Sequence, residues 1–203
     1  MADLMQDSVS TEGLSDRGVK SEFSIVPTKL LPVSIVVIAG LIISIAYNSQ
    51  WALDFYHVTG GGLWTAIDLF VGFVVGPIMG KMSIPARIEF ASKFMPKMLV
   101  IMPTLVTMTL GAGFQLARKI GYLSTGAPAH DWLIASFIVV GVMTLIALGI
   151  LEPANIAVLV ELRKEQPNAE VIGRLMKRFI YTAGITGAMQ IATLVIMTRV
   201  ASL

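Results

Sequence analysis

The sequence predicts an all-α integral membrane protein, a helical bundle of five transmembrane helices. Three observations predict it. Of 203 residues, 55% are apolar and only 14% are charged, where a soluble domain carries about a quarter charged residues. Mean hydropathy is +0.78. The apolar residues gather into five runs, each near the roughly 20 residues that cross about 30 Å of hydrocarbon.

Residues 1–27 mix Asp, Glu, Ser and Gly with little periodicity and read as a polar cytoplasmic tail ending at Pro27, ahead of a transmembrane domain over 28–203. The first run, about 30–47, follows an acidic tail unlike the cationic start of a secretory signal. It is expected to be an uncleaved anchor, although Ser44-Ile45-Ala46 has the small-x-small pattern of a cleavage site. The second run, about 55–80, carries His57, Trp64 and Asp68 and ends near Gly76-Pro77. The third, about 98–117, contains Pro103 and threonines that can return hydrogen bonds to the backbone. The fourth, about 132–160, is long enough to be tilted, or kinked at Glu152-Pro153. The fifth covers about 179–197.

Charge sets the topology. Arg17, Lys20 and Lys29 precede the first run; Lys81, Arg87, Lys93 and Lys97 follow the second; Arg163, Lys164, Arg174, Lys177 and Arg178 follow the fourth. Those twelve cations fall on one side, against Arg118, Lys119 and Arg199 on the other. The positive-inside rule then predicts a plasma (inner) membrane protein with its N-terminus cytoplasmic and its C-terminus outside. Trp51, Tyr122 and Trp132 fall at the outer interface, as an aromatic belt does. Glu89, Lys93, Met95 and Lys97 recur 81 residues later as Glu170, Arg174, Met176 and Arg178. That recurrence points to a four-helix core made from a duplicated helix hairpin.

Composition excludes several chemistries. Without cysteine there is no disulfide, thiolate metal ligand or nucleophilic thiol. The cations lie between apolar runs without interleaved aromatics, which argues against nucleic acid. No hydrolytic triad, phosphate loop, Rossmann glycine motif or metalloprotease helix is visible, so the reading leans away from an enzyme.

Asp68 carries the most information, because an ionisable group at mid-membrane costs roughly 2.5–3.5 kcal/mol on insertion scales and must face protein or water. His57, Trp64 and Asp68 fall on one stripe of a helix. Gln190 lies at a depth similar to Asp68, so a buried hydrogen bond between them is expected. With Glu152, which sits toward the cytoplasmic side of its run, they are candidates for an ion or proton path. Gly72, Gly76 and Gly80 recur every fourth residue and predict a smooth groove for a second helix. Gly60-Gly61-Gly62 weakens the helix between His57 and Trp64, as a bend, an unwound turn or a close-packed ligand would require. His57 and His130, at the outer ends of two helices, are candidate haem ligands with Trp64 beside them. Met95, Met98 and Met102 offer thioethers at helical spacing for copper, or simply for packing.

His57, followed seven residues later by Trp64 and then by an apolar run, Gly76-Pro77 and a cationic connection, resembles the opening helix of the CopD-like superfamily. That superfamily includes copper-resistance protein D-type domains and HemJ-type protoporphyrinogen oxidases. The resemblance covers about residues 55–199, with Thr65-Ala66 standing where such proteins carry Gly-Gly. It implies a four-helix bundle with a link to haem or, less directly, copper, and matches His57 to the family's histidine. Three functions are therefore expected from the sequence. The first is a non-catalytic membrane protein, in the lipid bilayer as a homo-oligomer or with other membrane subunits. The others are a haem-binding redox protein using His57, and a small ion or proton-coupled transporter using Asp68 and Glu152.

Overall fold

The computed structural model describes residues 27–203; the polar tail read from the sequence lies outside them apart from Pro27. The described residues are helical, without strands. Helix α1, Leu31–Ala46, begins with Pro32 in its first turn, where the missing N–H costs nothing. It ends before Asn48, whose φ of 50° is a left-handed turn conformation that asparagine tolerates. Ser49 then starts α2, Gln50–Phe70, its Oγ accepting from the Ala52 N–H at 3.4 Å.

A π-helical turn, Val71–Val75, connects α2 to α3, Gly76–Lys81. The same device recurs later: α5, His130–Ile146, passes through a π turn at Ala147–Leu151 into α6, Glu152–Leu162. Each π turn is followed by a proline at the second residue of the next helix, Pro77 or Pro153. A proline ring clashes with the carbonyl one turn back, and the wider turn relieves that clash without breaking the rod. Helix α4, Ile84–Lys119, contains Pro96 and Pro103. Helix α7, Ala169–Ala201, is capped by Asn168, whose Oδ1 accepts from the Glu170 N–H at 2.9 Å and the Val171 N–H at 3.2 Å.

Four rods are long and apolar enough to cross a membrane: Gln50–Lys81, Ile84–Lys119, His130–Leu162 and Ala169–Ala201. Helix α1 has 16 residues, about 24 Å at 1.5 Å per residue, and is shorter than a full span. The helices overrun the apolar runs at both ends; α4 begins 14 residues before its run because Ile84–Lys97 continues as an amphipathic turn-by-turn extension.

Helix α2 packs on α4 and α7, and the α5–α6 rod packs on α7 and, through α6, on α4, while α1 lies outside against α4 and α2. The core is rich in methionine: Met79, Met95, Met98, Met102, Met108, Met143 and Met176 are all buried. Flexible thioethers fill the irregular spaces beside prolines and π turns. The exterior inverts the pattern of a soluble domain. Val36, Phe73, Leu145 and Val195 are 62–73% exposed, an apolar coat around the rods that suits lipid.

The glycines explain how the rods meet. A Cβ on Gly72 would collide with the Cα of Gly184 on α7, and one on Gly76 would lie 2.7 Å from Ile180 Cγ2. Gly80, expected in the same groove, faces open space. Gly60-Gly61-Gly62 neither bends nor unwinds α2; a Cβ at Gly60 would lie 2.5 Å from Thr109 Oγ1, so the triplet's first residue serves close approach to α4.

Candidate functional site: a carboxyl-lined cavity inside the bundle

Asp68 ends the polar stripe of α2 just before the π turn, and it is 2% exposed. Its Oδ2 accepts three hydrogen bonds: from Trp64 Nε1 at 3.0 Å, one turn back, and from Thr186 Oγ1 at 3.0 Å and Gln190 Nε2 at 2.8 Å, both on α7. Helix α7 comes this close because Gly187 lies against the backbone of Asp68 and Leu69, where a Cβ would be 3.0 Å from the Leu69 nitrogen. Asp68 Oδ1 takes part in none of these bonds.

Asp68 also lines a cavity of about 160 Å³ between α2, α4, the second π turn and α7. Glu152, the first residue of α6, lines the same cavity, with Thr107 and Thr144 as further polar groups and Met102, Pro103 and Leu151 among the apolar walls. The space is large enough for several waters. Glu152 is half-buried, and among the described residues no hydrogen bond or ion pair reaches its carboxyl. The two prolines act differently here: Pro103 stands on the pocket wall within the continuous α4, while Pro153 follows the wide turn that presents Glu152. Two carboxyl groups from different rods therefore share one small pocket, which opens outward past the exposed Pro103, Thr107 and Leu148. Such a space can hold water, a proton or a small cation between them.

The other candidate residues lie elsewhere. His57 Nδ1 is 2.9 Å from the Thr109 carbonyl, which can only accept, so Nδ1 carries the hydrogen. Its ring occupies the place a Cβ on Gly113 would need. His130 opens α5, with Nδ1 3.4 Å from the Tyr122 carbonyl. Helices α2 and α5 do not pack directly on one another. Met95, Met98 and Met102 line the buried side of α4, and only Met102 reaches the cavity. Among the described residues no three His, Cys, Asp or Glu side chains gather as a metal cluster.

Sequence reasoning missed Thr186, the third donor to Asp68, and the cavity threonines. It also missed Asn155, one turn beyond Glu152, which is 0% exposed with both amide atoms unpartnered, and Gly184 and Gly187 on α7. The glycines had a readable signal, two small residues three apart in an apolar run. No protein-family model, curated protein or solved structure matches the chain.

Proposed function

We propose that the chain is a small proton-coupled transporter of the plasma (inner) membrane, with Asp68 and Glu152 as the groups that bind the moving proton. The observation that carries this reading is Glu152: a half-buried carboxyl with no protein partner among the described residues, lining the same pocket as a second carboxyl, Asp68. A bundle built only for assembly has no use for that arrangement, since an unsatisfied polar group in the membrane costs several kcal/mol. Asp68 suits the task for a second reason. All three donors converge on Oδ2, so a proton can come and go at Oδ1 without breaking the bonds that join α2 to α7.

The architecture proposed with this function has five spans, α1 being the first, with the N-terminus cytoplasmic and the C-terminus outside. Its four-helix core descends from a duplicated hairpin. Supporting duplication, a 76-residue offset relates Val71 to Ala147, where the π turns start, and Pro77 to Pro153, five residues short of the 81-residue offset of the sequence echo at Glu89 and Glu170. Each half is then a rod with a π turn before proline, followed by a long uninterrupted helix.

The test is proton flux into proteoliposomes loaded with a pH-sensitive dye. Wild type is expected to dissipate an imposed pH gradient, and Glu152→Gln to slow it at least tenfold while folding normally. Unchanged flux in that variant removes Glu152 from the path.

A second reading keeps His57 as a haem ligand. With Nδ1–H bonded to a backbone carbonyl, Nε2 is the free nitrogen, as in metal-bound histidines. His57 would supply one axial ligand through that nitrogen, and His130 stands as the proposed second. A Soret band in the purified protein, lost in His57→Ala, is the result this reading requires.

A further inference from the structure

We propose that the groove between α3, the start of α4 and the start of α7 binds an anionic phospholipid. Its phosphate would lie between Arg87 and Lys177, and an acyl chain would run over Gly80 and Ile84. This site is separate from the carboxyl cavity and does not depend on transport.

The groove has a volume of about 520 Å³, and Arg87 and Lys177 are its cationic lining residues. Arg87 is held in place: Nε donates to the Met82 carbonyl at 2.9 Å and Nη2 to the Gly80 carbonyl at 2.9 Å, at the C-terminal end of α3. A guanidinium has five N–H donors, so three remain for an anion. Lys177 is exposed on the facing helix, its Nζ 5.7 Å above the Tyr181 ring. A fixed fork and an exposed ammonium on opposite walls match a phosphodiester bearing one negative charge.

The rest of the lining is apolar or has no side chain. A Cβ on Gly80 would meet nothing within 4 Å, so the groove is open at this exposed residue, whereas Gly72 and Gly76 pack against α7. Ile84 and Tyr181 at the rim are 59% and 63% exposed. An acyl chain supplies the apolar complement that a free phosphate lacks. The groove also lies at the end of the bundle carrying most of the cations, where anionic lipid accumulates.

Thermal unfolding of the full chain in neutral detergent, titrated with phosphatidylglycerol or phosphatidylcholine, tests the proposal. Phosphatidylglycerol at about a hundred times its Kd is expected to raise Tm by several degrees, and phosphatidylcholine to leave it unchanged. Lys177→Gln and Gly80→Leu should each abolish most of that shift while keeping the lipid-free Tm, since one side chain is exposed and the other faces open space. Equal shifts with both lipids, or a full shift in both variants, overturn the site. A shift reproduced by millimolar inorganic phosphate would make it a phosphate site instead. A shift that grows with protein concentration would assign the groove to a second copy of the chain.

Discussion

Asp68 holds two helices together through one oxygen atom, so substitutions there separate charge from shape. Asp68→Leu removes all three bonds and leaves the Trp64 and Gln190 donors buried without an acceptor. Interhelical bonds in membranes average about 0.6 kcal/mol and orphaned donors cost about 1–3 kcal/mol, so a loss of about 2–4 kcal/mol is expected. Asp68→Asn keeps an acceptor oxygen for the same donors and should melt within a few degrees of wild type. Urea or thermal unfolding in detergent reads both; equal destabilisation by the two would show that the charge itself holds the helices together. The bond to Gln190 was legible, because both residues lie near the centre of their runs and neither can face lipid. Thr186 was not, since threonines here bond back to their own helix, as Thr104 does to the Val100 carbonyl, and the single Thr186 hydroxyl hydrogen has the Thr182 and Ala183 carbonyls at 3.1 and 3.0 Å as alternatives to Asp68. His57, on the same stripe as Trp64 and Asp68, could not be assigned a partner from spacing alone. Its acceptor is a backbone carbonyl 52 residues away, and any residue type at position 109 supplies one.

Helix pairs in this bundle are set by small residues, and the three glycines of one stripe make unequal contacts. Gly72 meets the Gly184 backbone, Gly76 meets a flexible isoleucine tip, and Gly80 meets nothing. Replacing each by isoleucine should therefore give a graded series: severe loss of stability at Gly72, moderate loss at Gly76, where Ile180 can shift, and a change under about 0.5 kcal/mol at Gly80. Three equal effects would mean that helix propensity, not packing against α7, controls the stripe. The four-residue spacing predicted the groove but not where the partner helix leaves it, because that depends on the crossing of α7 over α3. The π turns were equally hidden. Gly76-Pro77 and Glu152-Pro153 mark a disturbance in each rod, yet a kink and a widened turn have the same sequence signature.

The described rods present apolar side chains outward and carry most of their cations at one end, which is why the membrane class could be read before any contact was known. What composition could not resolve was the status of α1. Its 16 residues fall short of a span, but they run beside α2 and α4 from the Asn48 end. There Lys119 Nζ donates to the Asn48 carbonyl at 2.6 Å and ties the α1–α2 turn to the end of α4. The turn at Asn48 and the loop at Ser124 are thus at one end of the bundle, and the link at Ser83 is at the other. A chain without native cysteine allows single-cysteine labelling free of background. In intact cells, a membrane-impermeant maleimide should modify Ser124→Cys and spare Ser83→Cys until lysis. Ser10→Cys, in the tail before α1, then decides between five spans and four. If α1 crosses the membrane, Ser10→Cys is protected like Ser83→Cys. If α1 only lies against the bundle in one leaflet, Ser10→Cys reacts from outside with Ser124→Cys, and the acidic tail is extracellular.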